Sequence, residues 1–206
     1  TQSQASTYWA MEVYEPEILE RVKARVAEGR WEVAANTWVE NDMNMSSSEA
    51  IAHHFLYTRR YMEQLFGAKP RLLWEPDTFG HPATLPQITR KGGAEYHYFC
   101  RGGKGDPLFW WESEDGSQVL SVHEPHWYLG EINPWQTVEK AILLAERCGL
   151  QHSLVVYGVG DHGGGATIRD LEMARAIDAA PCLPALRLDT VMAFFDAVKA
   201  ANPELP

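Results

Sequence analysis

Three short segments concentrate the side chains that could perform chemistry. They are Val39-Glu40-Asn41-Asp42-Met43-Asn44, Glu75-Pro76-Asp77-Thr78-Phe79-Gly80-His81 and Gly158-Val159-Gly160-Asp161-His162-Gly163-Gly164-Gly165. Each follows a strand-like run, and in barrels and open parallel sheets catalytic groups sit just past the C-terminal ends of strands. Asp77 is the sharpest signal. A carboxylate projecting from a strand end can coordinate a metal, act as a nucleophile, or do both; the plainer alternative is an Asp that caps a turn after Pro76. In the third segment, glycines around Asp161 and His162 let the backbone approach a ligand closely. Asp161 is there a candidate general acid/base and His162 a candidate metal or sugar contact, with a purely structural loop as the alternative. Glu40 and Asp42 could hydrogen-bond sugar hydroxyls, or simply solvate the entrance to a helix.

Other patterns exclude themselves. A phosphate-binding loop needs GxxxxGK[ST], and residues 158–165 contain no Lys. The dinucleotide fingerprint can be laid over Gly158, Gly160 and Gly163, but it puts the charge of Asp161 where a pyrophosphate would sit. His53 and His54 are adjacent rather than at the i, i+4 spacing of helical zinc ligands, and His123 and His126 lack the HExxH spacing. Cys100, Cys148 and Cys182 are odd in number and widely spaced, so they read as reduced thiols rather than a disulfide framework.

The elements that must position these loops alternate between helix and strand patterns, which indicates an α/β fold with a mostly parallel sheet. Ile18, Leu19, Val22 and Val26 share a helical face that Gly29 ends; residues 31–38 alternate as a strand. Ser46 and Glu49 have capping-box spacing at the start of a helix carrying Ile51, Phe55, Met62 and Leu65. Strands are expected over 71–74, 95–100, 118–123, 153–157 and 185–188. Helices are expected over 84–91, from Asn133-Pro134 to Cys148, from about Thr167 to Ala179, and over 190–201.

The net charge of −10 argues against nucleic-acid backbones and anionic membranes, because a phosphate binder needs clustered Lys and Arg. No run of 18 apolar residues could span a bilayer. The first residues carry no initiator Met and no signal-peptide pattern, and the chain stops directly after a helical pattern. Both ends therefore read as cuts in a longer protein.

In order along the chain, several of these segments together resemble glycoside hydrolase family 38, the α-mannosidases. They are Ser3-Gln4-Ala5 with Tyr8-Trp9, Gly29-Arg30-Trp31-Glu32, Trp38-Val39-Glu40 with Asp42 and Asn44, and Ser46-Ser47-Ser48-Glu49. Trp74 to Gly80, Leu85-Pro86-Gln87-Ile88 and Gly160-Asp161-His162-Gly163-Gly164-Gly165 complete the series. The resemblance implies a (β/α) barrel of about seven strands that binds one zinc ion. Residues 1–206 would then be a single α/β domain, part of a catalytic domain, lacking its first strand and the C-terminal β-domains. It further implies that Asp77 is the retaining nucleophile and a zinc ligand, with Asp161 as the acid/base. Trp74, Phe79, Glu40, Asp42 and His162 would contact substrate, an α-mannoside oligosaccharide. The glycine-rich form of 158–165 is similar to the cytosolic and bacterial branch, which implies a cytoplasmic protein, and homo-oligomerisation of a full-length protein is left open.

This chain departs from the family pattern in four respects. The H-x-D segment that supplies a His and an Asp ligand is not found, and a further His ligand falls beyond Pro206. Ala166 stands where the pattern often has Pro, and His53-His54 where many members carry Arg-Gln. These departures predict that the 206 residues alone do not assemble the complete zinc site. Two rival readings follow, a metal-dependent carbohydrate deacetylase and a non-catalytic mannose-binding remnant.

Overall fold

A computed structural model describes residues 2–103, 105–160 and 164–206. Backbone contacts divide them into two compact units, one of residues 2–103 and 109–123, the other of residues 105–108, 124–160 and 164–206.

In the first unit, β1 (Gln2–Gln4) leads into α1 (Ala5–Tyr14), α2 (Pro16–Ala27) and β2 (Val33–Thr37), and β1 pairs in parallel with β2. Ala5, Tyr8, Leu19, Val22 and Ala35 of these elements form one buried cluster with Met62 of the helix that follows. Next come α3 (Ser48–Phe66), β3 (Leu72–Glu75), α4 (Leu85–Lys91), β4 (Tyr96–Phe99), β5 (Leu108–Glu112, in this unit from Phe109 on) and β6 (Gln118–His123). The second sheet has the order β3-β4-β6-β5, with β3/β4 and β4/β6 parallel. A tight turn, in which Ser113 N donates to Ser117 O at 2.9 Å, joins β5 to β6. All four β4 residues are buried, as expected of a parallel strand covered on both faces. Met43, Ile51, Phe55, Leu73, Leu85 and Ala94 form the core that anchors β3 to α3 and α4.

The second unit carries α5 (Pro134–Cys148), α6 (Ile168–Asp178) and α7 (Val191–Ala201). Ile132, Ala174 and Ile177 are its central apolar cluster. Asn133 caps α5 by accepting from Gln136 N at 2.8 Å, and Gly149, with φ of 65°, ends it in the left-handed conformation that favours glycine. Lys140 on this helix lies buried at 2.6 Å from the equally buried Glu124.

The seven-stranded barrel expected from the sequence is not formed: the strands of the described residues fall into separate sheets of two and four. A strand exists only where a neighbour completes its ladder, and residues 153–157 and 185–188 have none. Of the whole 151–160 stretch only Gly158 makes a bridge, to Gly130. The apolar run 153–157 carries the composition of a buried strand but cannot supply its own partner. β2 and β3 are not laddered either; the Asn36 side chain instead donates to Leu72 O at 2.6 Å. The cap of α3 also differs from the expected Ser46–Glu49 box. Ser47 is the N-cap, accepting from Ala50 N at 3.2 Å, while Ser46 N donates to Asp42 O in the preceding turn. Three consecutive serines offer three capping frames, and this turn selects among them. No helix of the described residues is long and apolar enough to cross a membrane.

Candidate functional site

Glu75 ends β3 and Asp77 follows two residues later, so the loop that carries Asp77 starts from a strand whose register is fixed by β4. Leu73 pairs with His97 and Glu75 with Phe99. With the two-residue repeat of side-chain direction in a strand, Glu75 and His97 share one face while Trp74 and Tyr98 share the other.

On the Asp77 side, Arg101 reaches back from the end of β4. Its Nε donates to Asp77 Oδ1 at 2.7 Å and to the Asp77 carbonyl at 3.2 Å, and its Nη2 lies 2.5 Å from the same Oδ1. The guanidinium also lies over the Phe79 ring, 3.9 Å from its centroid, and Phe79 itself is 69% exposed. Glu40 faces Asp77 from the segment after β2. Desolvation first, and then the charge of Asp77, raises its pKa above the ordinary carboxylate value. Three charged side chains and an exposed ring therefore converge at the end of β3, an arrangement that can present a fixed carboxylate to a polar ligand.

Two neighbouring loops lock together at the same place. Asp42 Oδ1 accepts from Asn44 N and Met45 N, each at 2.8 Å, which closes the 42–45 turn. Gly80 has φ of 116°, and a Cβ there would lie 2.4 Å from the Asn44 amide nitrogen. The φ of Gly80 favours glycine there, and a Cβ would also displace the end of the Asn44 side chain.

Around the Glu75 carboxylate lies a second cluster. Glu75 Oε2 is 3.1 Å from His97 Nε2 and 3.3 Å from His81 Nε2, and all three side chains are buried. The His97 contact is a hydrogen bond, whereas His81 Nε2 has no hydrogen-bond partner despite its proximity. Burial pushes the Glu75 carboxyl up, but the two imidazoles facing it outweigh that and hold its pKa below the ordinary value. Burial holds the His97 pKa down. One ligand atom from each of the three lies within 4.8 Å of the others, the one such group of three among the described residues.

The residues singled out from the sequence are thus placed unevenly. Asp77, Phe79 and Glu40 come together. Asp42 is next to them through its turn. Trp74 lies on a different face of β3 from Glu75, stacked on Tyr98 with centroids 4.0 Å apart. Asp161 and His162 lie outside the described residues. Sequence reasoning does not point to Arg101 or to the Glu75–His81–His97 cluster. The strand-end rule could have found Arg101, because it follows β4 as Asp77 follows β3. The cluster depends on the β3–β4 register, which no local pattern specifies.

Comparison with known proteins places this arrangement in context. The family model described as "Glycosyl hydrolases family 38 N-terminal domain" matches residues 1–206. The chain is 34% identical over 219 residues to "Alpha-mannosidase G" of Dictyostelium discoideum, covering 100% of this chain and 20% of that protein. It is 29% identical over 204 residues to human "Alpha-mannosidase 2C1", covering 96% of this chain and 20% of the relative. It therefore spans about a fifth of the length of these relatives. Among solved structures, that of an alpha-mannosidase from Enterococcus faecalis V583 superposes with a TM-score of 0.71 at 23% identity, over 95% of this chain and 23% of that one. This last likeness bears on the fold.

Proposed function

Because this chain belongs to glycosyl hydrolase family 38, we propose that it forms part of a retaining α-mannosidase in which Asp77 is the nucleophile. The observation that carries this reading is the fixed Asp77 carboxylate at the end of β3, held by Arg101 beside Glu40 and the exposed Phe79.

In a retaining reaction a carboxylate attacks the anomeric carbon as the glycosidic bond breaks, and a second carboxyl protonates the departing oxygen, then activates water. The Arg101 nitrogens converge on Oδ1 of Asp77, so Oδ2 is the attacking atom, and the guanidinium holds the carboxylate plane in one orientation during attack. Phe79 presents an apolar face to the sugar, and Glu40 accepts from a sugar hydroxyl. Trp74 and Asp42 are proposed substrate contacts on the grounds of sequence pattern. Asp161 is the proposed acid/base and His162 a proposed substrate contact, both on the grounds of sequence pattern.

Zinc is the proposed metal, with Asp77 as one ligand. A carboxylate oxygen suits zinc, but among the described residues Asp77 belongs to no group of three metal-ligating side chains, so the remaining ligands must come from elsewhere. When bound, zinc would supply Lewis-acid polarisation of the mannose hydroxyls. The substrate is an α-mannoside oligosaccharide and the expected compartment is the cytoplasm.

The test is hydrolysis of an aryl α-mannoside by the full-length protein, with and without chelator, beside Asp77→Ala. Turnover abolished by both treatments supports the reading. Release of acetate from an acetylated sugar, without mannoside turnover, would support a deacetylase. Mannose binding with no turnover would mark a non-catalytic module.

A further inference from the structure

We propose that Glu75, His81 and His97 form a second cation site, distinct from the Asp77 carboxylate, for a borderline divalent ion of the zinc type. One carboxylate and two imidazoles are a ligand set that such ions favour over Mg²⁺ or Ca²⁺, which take oxygen donors. The spacing also fits. An ion with ligand bonds of roughly 2.0–2.2 Å in tetrahedral geometry sets its ligand atoms roughly 3.3–3.6 Å apart. Glu75 Oε2 lies 3.1 Å from one imidazole nitrogen and 3.3 Å from the other, with every pair within 4.8 Å.

The second, independent observation is the state of His81. Its side chain is only 5% exposed, and Nε2 sits 3.3 Å from a carboxylate oxygen without forming a hydrogen bond. A buried imidazole nitrogen normally finds a partner. Here it stands without one, beside the carboxylate oxygen that the ion would share. Aromatic packing already holds both rings in place. His97 stacks on Phe99 at 4.8 Å between centroids, and His81 meets Phe99 edge-on at 5.1 Å and Trp111 at 6.1 Å. The ion would tie the end of β3, the loop six residues on and β4 into one piece, and Asp77 lies between the first two of these ligands. It would thus position the loop without touching the sugar.

His97 Nδ1 has no partner. The outer hydrogen bond that usually supports a ligating imidazole is therefore missing at that residue, which lowers the expected affinity by roughly 10–100-fold relative to a fully supported site.

The test is equilibrium dialysis of the chelator-stripped full-length protein against Zn²⁺, with metal counted per chain. It compares wild type, Asp77→Ala, His81→Phe and Glu75→Gln, the folded state of each being checked by circular dichroism. His81→Phe keeps a ring against Phe99 and Trp111, and Glu75→Gln keeps the shape of the carboxylate, so the two guard against each other's misfolding. The expected result is that each cluster variant binds one equivalent fewer than wild type while Asp77→Ala retains that equivalent. Equal stoichiometry in wild type and a folded cluster variant overturns the proposal, as does loss of one and the same equivalent in Asp77→Ala and His81→Phe. Failure of the mannosidase reading would show separately, as turnover indifferent to Asp77→Ala.

Discussion

Asp77 is held by one long side chain, and the geometry of that side chain makes the identity of Arg101 specific. Two guanidinium nitrogens converge on a single carboxylate oxygen while the same plane covers Phe79. A lysine can supply the charge but neither the fork nor the flat face. Arg101→Lys is therefore expected to lower kcat by roughly 10²-fold with a smaller change in KM, the effect of a misplaced reacting group; steady-state kinetics on an aryl α-mannoside reads both. Gly80→Ala puts a side chain on a backbone with φ of 116°, and the end of the Asn44 side chain must also shift. It should destabilise the protein by about 1–3 kcal/mol, read as a lowered urea midpoint. At this scale the sequence is readable where chemistry and position coincide. Asp77 stands out because it follows both an apolar run and a proline. Arg101 and His97 do not, because each acquires its meaning from the strand beside it.

Helix ends are the most legible of the elements, since a cap joins residues only three apart. Thr167 and Asp170 form a reciprocal box at the start of α6, and Asp170 also accepts from Ile132 N at 3.3 Å. Hydrogen bonds from the Thr167 hydroxyl and backbone hold the Asp170 pKa below the ordinary carboxylate value. The folded state thus binds this proton less readily than the unfolded state. Its stabilisation is complete above the unfolded value of about 3.9 and is lost as pH falls through the depressed folded value. Asp170→Asn should cost about 1 kcal/mol at pH 7 and progressively less as the pH falls below about 3.9, measured by urea unfolding across that range. The buried Lys140–Glu124 pair on and beside α5 was not legible, because a lysine on a helix face ordinarily reaches water. Lys140→Met should destabilise by about 3–5 kcal/mol by stranding Glu124, and adding Glu124→Gln should recover part of that loss. The same limit explains the expected strand over 153–157: its residues are apolar enough, but pairing is a property of two segments and the pattern of one cannot report it.

For the molecule as a whole, alternation of helix and strand correctly indicated α/β architecture and a parallel sheet, while closure into a barrel did not follow. Closure requires a ladder at every strand edge, and the gap between β2 and β3 is bridged by a side chain rather than a backbone ladder. The family resemblance read from ordered motifs agrees with the match over residues 1–206. The central claim is that Asp77 forms a covalent bond to the sugar. Its most direct test is to trap that bond with a fluorinated mannosyl donor that slows hydrolysis of the intermediate, then map the label by mass spectrometry of the digested full-length protein. The account predicts one added mannosyl group per chain, on the peptide containing Asp77. A label on another carboxylate, or turnover with inverted configuration and no trapped adduct, would contradict it.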